Sequence, residues 1–244
     1  MHYLEFLGRV HAVLSPRTYL EVGVRDGDSL SLSRCRSIGI DPAFAVTREL
    51  VGPTQLVKKT SDAYFESLGT TRPFGKRPVD LAFIDGMHLF ECAIRDFANI
   101  ERFAEWSMVT IFDDVLPRDQ DEPARYRHTE AWAGDIFRVP FAFEGDPSRP
   151  HLVTVDTQPT GLMLVFGLDP NSTVLGDRIG ELFVRHVAAD PQVVPAEVIA
   201  RSEALEPEMV LGLPVWEVLR AGRGVHSPAV GRGSILRALG LPHD

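Results

Sequence analysis

Three short stretches hold most of the residues able to do chemistry. One is "FIDGMHLFE" (residues 83–91), where an apolar run ends on Asp85 and His88 follows three positions later. A second is "VTIFDD", ending on Asp113 and Asp114. The third is "YLEVGVRDGDS", in which Glu21, Gly23 and Gly27 punctuate a turn and Asp28-Ser29 could open a helix. Three carboxylates brought together would repel one another unless a cation lies between them. Mg²⁺ suits that role, because it takes one or two carboxylates and fills its remaining positions with water and substrate oxygens. An imidazole beside them titrates near neutral pH and could serve as a base. His88 also has a plainer reading, as the first residues of the next helix, idle or merely lining a substrate. Asp113 and Asp114 have one too, as acids of a turn or helix cap. Gly23 and Gly27 let the main chain approach a ligand closely, and a helix start there offers free N–H groups.

For these residues to meet, the chain must place several strand ends on one edge. Apolar runs bounded by turns read as strands at 18–24, 36–41, 54–59, 79–85 and 106–112. Between the last two, Phe90, Ala93, Ile94, Phe97 and Ile100 recur at helical spacing, with Glu91, Arg95, Asp96 and Glu101 assigned to the opposite face. Buried strands alternating with helices predict a parallel sheet covered on both sides. Residues 151–156 and 161–168, joined by a short Thr-Gln-Pro-Thr turn, predict an antiparallel pair. Helices are expected at 3–14, 130–138, 174–189 and 196–221, and a polar loop at 117–130. In a parallel sheet, ligands bind outside the carboxyl ends of the strands, so Asp41, Asp85, Asp113 and Asp114 should share one edge. Adjacent strand residues face opposite ways, so Asp113 and Asp114 can act together only where the strand is already turning.

In order, the ExGxxxG turn, Asp41 after the second strand, Ser61-Asp62 after the third and the terminal hairpin resemble the class I S-adenosylmethionine-dependent methyltransferases over residues 15–170. That resemblance implies a Rossmann-like, doubly wound, mostly parallel seven-stranded sheet ending in an antiparallel hairpin, with helical additions at both ends. It implies that Glu21, Gly23, Arg25, Gly27 and Ser29 surround the methionine part of the cofactor. Asp41 would hold the ribose, Ser61 and Asp62 the adenine, and Asp85 would border the cofactor. The pattern IDGxHxxE followed by FDD is similar to a bacterial branch of metal-dependent O-methyltransferases acting on macrolide sugars, aminocoumarin sugars and related natural products, and distantly to catechol O-methyltransferases. By that similarity Asp85, Asp113 and Asp114 bind Mg²⁺, and Asp85 or His88 removes the proton of a small-molecule hydroxyl. No lysine stands between Asp85 and Glu91, so the base chemistry of the catechol enzymes does not carry over.

Composition narrows the alternatives. The 244 residues carry 25 basic and 34 acidic side chains, a net charge of −9, which argues against nucleic acid as partner. No apolar run is long enough for a membrane span, and Glu5 and Arg9 interrupt the first helix, which is not expected to be a signal peptide. A cytoplasmic protein with a small-molecule substrate, and a possible homo-oligomer, is the expectation. Cys35 and Cys92 lack metal-ligand spacing and read as reduced core thiols. Residues 1–172 are expected to form the cofactor-binding domain, and 173–244 a helical segment packed on it or on a second subunit. The arginines at 220, 223, 232 and 237 read as a solvated tail. A nicotinamide-dependent oxidoreductase and a non-catalytic scaffold are the competing readings; the lack of GxGxxG counts against the first and the retained carboxylates against the second.

Overall fold

The computed structural model describes residues 1–144, 150–169, 171–172, 174–224 and 228–240. All seven expected strands form, each trimmed by a residue or more: β1 (Thr18–Val22), β2 (Arg36–Ile40), β3 (Thr54–Val57), β4 (Leu81–Ile84), β5 (Val109–Phe112), β6 (His151–Val155) and β7 (Leu162–Phe166). They make one sheet in the order β3-β2-β1-β4-β5-β7-β6. The first five strands run parallel, and β7 lies antiparallel between β5 and β6. This is the Rossmann-like, doubly wound arrangement with a terminal hairpin. From β1 the chain winds outward one way to β3, and from β4 the other way to β5. The reversal opens a crevice between the carboxyl ends of β1 and β4. There Val22 pairs with Ile84, so Gly23 and Asp85 leave the sheet side by side.

Strand alternation sorts the core onto two faces. Leu20, Val22, Ala82, Ile84, Met163 and Val165 belong to the cluster shared with helices α2 (Ser61–Leu68), α3 (Phe90–Glu101) and α4 (Val174–His186). Tyr19, Leu81, Phe83, Ile111, Leu164 and Phe166 belong to the other face, covered by α1 (Tyr3–Leu14), α6 (Pro207–Leu211), α7 (Val215–Gly222) and α8 (Pro228–Leu239). Fully buried rings such as Phe83 and Phe97 contribute about 1.5–3 kcal/mol each. The segment after residue 173 therefore packs on the same sheet. No helix among the described residues is long and apolar enough to cross a membrane.

Several expectations are corrected. Residues 196–221 are not one helix but α5 (Ala196–Ile199), α6 and α7, because Pro207 and Pro214 can only start helices here. Between residues 130 and 138 only a 3₁₀ turn forms, Gly134–Arg138. Helix α4 stops at His186 rather than 189. On α3, Asp96 and Glu101 are buried rather than solvated. Cys35 and Cys92 are free but only half-buried, Cys35 packing against the margin of one core cluster. Arg220 and Arg223 are not a solvated tail. Arg220 donates to the Val13 carbonyl, and Arg223 donates to those of Leu14 (2.5 Å) and Ser15 (2.9 Å). They satisfy carbonyls that the end of α1 leaves open. Arg232 and Arg237 belong to a helix over 228–239 with Ile235 buried; residues 225–227 and 241–244 lie outside the described residues.

Candidate active site

A cavity of about 680 Å³ opens at the β1/β4 crevice. Its size falls within the roughly 300–1,000 Å³ of small-molecule sites. One wall comes from the first half of the sheet: Gly23, Arg25, Asp28, Asp41 and Ser61. The other comes from Asp85, Met87, His88, Asp113, Asp114 and Trp132. Tyr3 on α1 and Thr160 on the β6–β7 turn close it from the side.

The first wall is built by main-chain bonds. Asp41 Oδ2 accepts the N–H groups of Val24 (3.0 Å) and Arg25 (2.9 Å), and Oδ1 accepts that of Ala43 (2.6 Å). Arg25 is left-handed (φ 48) and Gly23 has φ 90. A side chain on Gly23 would put its Cβ 1.8 Å from the Asp85 carbonyl oxygen, so only glycine lets β1 and β4 part this close together. Glu21 shares a strand face with Tyr19 and lies beneath this loop rather than in the cavity. Its carboxyl is bonded by the Ser29 hydroxyl (2.9 Å) and the Tyr19 hydroxyl (2.5 Å). Burial pushes the Glu21 pKa up to about 8 in spite of both bonds. Glu21, Gly27 and Ser29 thus underpin the loop; Asp28, expected only to open a helix, lines the cavity beside Arg25. Ser61 also lines it, whereas Asp62 turns outward to Arg95 at 3.3 Å.

The second wall is built by side chains from distant parts of the chain. Asp114 has φ 64, so the strand turns sharply after Phe112 and both Asp113 and Asp114 reach the cavity. His88, also left-handed (φ 52), sits between two carboxylates: Nε2 lies 3.2 Å from Asp85 Oδ1, and Nδ1 lies 2.8 Å from Asp114 Oδ2. Nδ1 is also 3.0 Å from the Trp132 carbonyl, and the Trp132 ring stacks on the imidazole at 5.0 Å. Burial alone would lower the His88 pKa; the bonds to Asp114 and Asp85 outweigh it and raise it to about 11. Asp85 is raised by burial, partly offset by His88. Asp113 is raised by burial and then by the charges of Asp114 and Asp85. Its Oδ1 accepts the Asp114 N–H (2.9 Å). The Thr160 hydroxyl donates to Asp114 Oδ1 at 2.6 Å.

Among the described residues, the metal-capable group whose ligand atoms all lie within 4.8 Å of one another is Asp85, His88 and Asp114. Asp113, the third member of the expected trio, lines the same cavity but lies outside this tighter group. The polar segment 117–133 folds over this wall. Arg125 ties it down by pairing with Glu91 (2.5 Å) and with Asp135, whose Oδ1 accepts the Phe90 N–H and so caps α3. Gly134 (φ 60) packs its Cα against the His88 carbonyl, where a Cβ would come within 1.7 Å. His128 is exposed against Tyr126 and does not line the cavity.

Sequence reasoning missed Tyr3, Asp96, Thr160 and Asp28. Burial, followed by the charges of Asp85 and Asp113, raises the Tyr3 phenol. Asp96 borders the cavity; burial, opposed by a hydrogen bond from Ser61, pushes it up to about 7, and its Oδ1 has no partner in the protein. Asp96 was detectable only as an acid one turn from the apolar stripe of α3.

No family model and no curated protein matches this chain. Solved structures do overlap with it. An O-methyltransferase from Bacillus cereus in complex with SAH superposes with a TM-score of 0.49 at 15% identity, over 67% of this chain and 80% of that one. The O-methyltransferase TomG from Streptomyces achromogenes, involved in tomaymycin synthesis and in complex with SAM, gives 0.48 at 17%, over 67% and 78%. The SAH-bound methyltransferase PaMTH1 from Podospora anserina gives 0.48 at 11%, over 67% and 77%. These identities transfer no residue's role.

Proposed function

We propose that this protein is an S-adenosylmethionine-dependent methyltransferase that methylates a hydroxyl of a small molecule, with Mg²⁺ assisting. The observation that carries the reading is the meeting, in one cavity, of the Gly23–Asp41 loop and the Asp85–His88–Asp114 cluster. The cavity fits the cofactor in kind. Asp41 presents a fixed carboxylate, Ser61 a hydroxyl, Arg25 a cation, and Asp96 Oδ1 is a buried oxygen still lacking a partner. Asp41 would orient the ribose, Arg25 the methionine carboxylate and Ser61 the adenine.

The donor set also fits a divalent cation. Asp85 and Asp114 would hold it, with Asp113 lining the cavity beside them. A hard cation there supplies Lewis acidity toward a substrate hydroxyl. The chain's own residues do the rest. Asp85 would receive the proton of the acceptor hydroxyl, its buried carboxyl being the better base, and His88, which already holds a proton between Asp85 and Asp114, would steady it. Trp132 and Thr160 hold His88 and Asp114 in place, and the 117–133 segment shields part of the pair from water. Tyr3 and Trp132 offer flat faces, and Arg127 and Glu130 hydrogen-bonding groups, which suits a polyhydroxylated ring such as a sugar or natural-product scaffold. Aligning the two reactants would supply much of the rate gain. Residues 1–172 would carry cofactor and cation, with 173–244 supporting them from behind.

The test is methyl transfer from radiolabelled S-adenosylmethionine to a panel of hydroxylated acceptors, with Mg²⁺ or EDTA. Transfer that Mg²⁺ supports and EDTA abolishes is expected. Transfer unaffected by EDTA and retained in Asp114→Ala would remove the metal from the reading.

A further inference from the structure

Arg201 lies in the C-terminal segment, away from every motif. It is left-handed (φ 54), and its side chain is only 13% exposed. One guanidinium nitrogen donates to Asp156 Oδ1 (2.5 Å) and to the Thr157 carbonyl (3.1 Å). The other donates to the carbonyls of Leu116 (3.2 Å) and Pro159. One side chain thereby joins the exit of β5 to the β6–β7 turn. Only a planar fork reaches four acceptors in this way; an ammonium is a point charge.

What the turn carries gives this clamp its meaning. Leu116 N–H donates to the Thr160 carbonyl (2.7 Å), and the Thr160 hydroxyl donates to Asp114 Oδ1 (2.6 Å). On the turn's other side, Gln158 exchanges main-chain bonds with the start of α1: Tyr3 N–H to the Gln158 carbonyl (2.9 Å) and Gln158 N–H to the Met1 carbonyl (2.8 Å). Asp114 and Tyr3 both line the reaction cavity, and the turn that fixes them is itself fixed by Arg201. Asp114 needs such support, because it holds a left-handed conformation unusual for a residue with a Cβ.

We propose that Arg201 is a positioning residue of the reaction centre, acting through Thr160 to aim the Asp114 carboxylate at the bound cation. This rests on the methyltransferase reading. Arg201 touches neither cofactor wall nor reacting atoms, so its loss should spare the cofactor. It also lines a second cavity of about 560 Å³ behind the turn, through which a small guanidinium could enter in its place.

The experiment measures Mn²⁺ binding by electron paramagnetic resonance and S-adenosylhomocysteine binding by calorimetry, on the wild type, Arg201→Ala and Arg201→Lys, with circular dichroism to establish folding. Arg201→Ala should weaken Mn²⁺ about tenfold, the low end for a partner that orients a ligand, and leave S-adenosylhomocysteine within about twofold. Lysine should restore little, and millimolar ethylguanidine should recover Mn²⁺ binding in the alanine variant. A folded Arg201→Ala indistinguishable from the wild type toward Mn²⁺, or losing both ligands in parallel, overturns the role of Arg201. A wild type that binds no S-adenosylhomocysteine overturns the underlying reading instead. Crystal structures add a ligand-free check: the Thr160–Asp114 bond should be broken in Arg201→Lys, and its survival would overturn the proposal.

Discussion

Asp41 and Asp114 each stand just past the carboxyl end of a strand, and they are held in opposite ways. Asp41 is bonded by three main-chain N–H groups from residues close to it on the loops it joins. Asp114 is bonded by the side chains of His88 and Thr160, brought in from other elements. One wall is therefore a property of loop conformation, and the other of side-chain chemistry. The first should tolerate change at most neighbouring side chains but not at Asp41 or Gly23. The second should fail piecemeal, as each distant contributor is removed.

The sharpest way to separate the two walls is Asp114→Ala. Mn²⁺ affinity should fall by about 100-fold or more, above the upper end of the loss expected for a supporting partner. S-adenosylhomocysteine binding should be nearly unchanged in the same titration. Asp41→Ala should do the reverse. It strands three N–H groups, each costing about 1–3 kcal/mol if left unpaired, so cofactor affinity should drop about tenfold or more and urea stability should fall, with Mn²⁺ binding retained. If both variants lose both ligands equally, the walls are not separable and the comparison fails.

Much of this was legible in the sequence. Six of the seven strands announce themselves as apolar runs ending in glycine or acid (β3 runs into Lys58-Lys59 instead), and that pattern placed Asp41, Asp85, Asp113 and Asp114 on one edge. The fine arrangement was not legible, because it depends on contacts between residues far apart in the chain. Whether Asp113 or His88 completes a cluster with Asp85 and Asp114 turns on two left-handed residues, which no spacing rule announces. Arg220 and Arg223 looked like a tail because the carbonyls they cap lie about 200 positions earlier. Asp96 was placed on the polar face of α3 by a helical wheel that cannot see α2 packing across it. The breaks at Pro207 and Pro214 were readable; helical spacing outweighed them in the 196–221 assignment.

A smaller effect concerns the stacking on His88. Trp132→Ala removes a ring pair of the kind worth about 0.5–1.5 kcal/mol. Mn²⁺ affinity should weaken several-fold, again without loss of the cofactor; an equal loss of S-adenosylhomocysteine would tie Trp132 to the first wall. A last effect, on stability rather than binding, lies under that first wall. Glu21, pushed up to about 8 by burial, keeps its proton in the folded chain after the unfolded chain has lost it. Stability from this group is therefore full below about pH 4.5 and is lost as pH rises toward 8. Between pH 6 and 7 the wild type should lose roughly 1 kcal/mol that Glu21→Gln does not. Urea denaturation at the two pH values reads the difference, and parallel pH profiles would show that Glu21 is ionised in the folded protein.

The most direct test of the account is a calorimetric titration of the wild-type protein with S-adenosylhomocysteine, with and without Mn²⁺. One molecule per chain should bind at micromolar concentration in both conditions, and the Asp114→Ala protein should bind it equally well. No binding at millimolar S-adenosylhomocysteine by the folded protein would contradict the assignment of this cavity to a methyl donor.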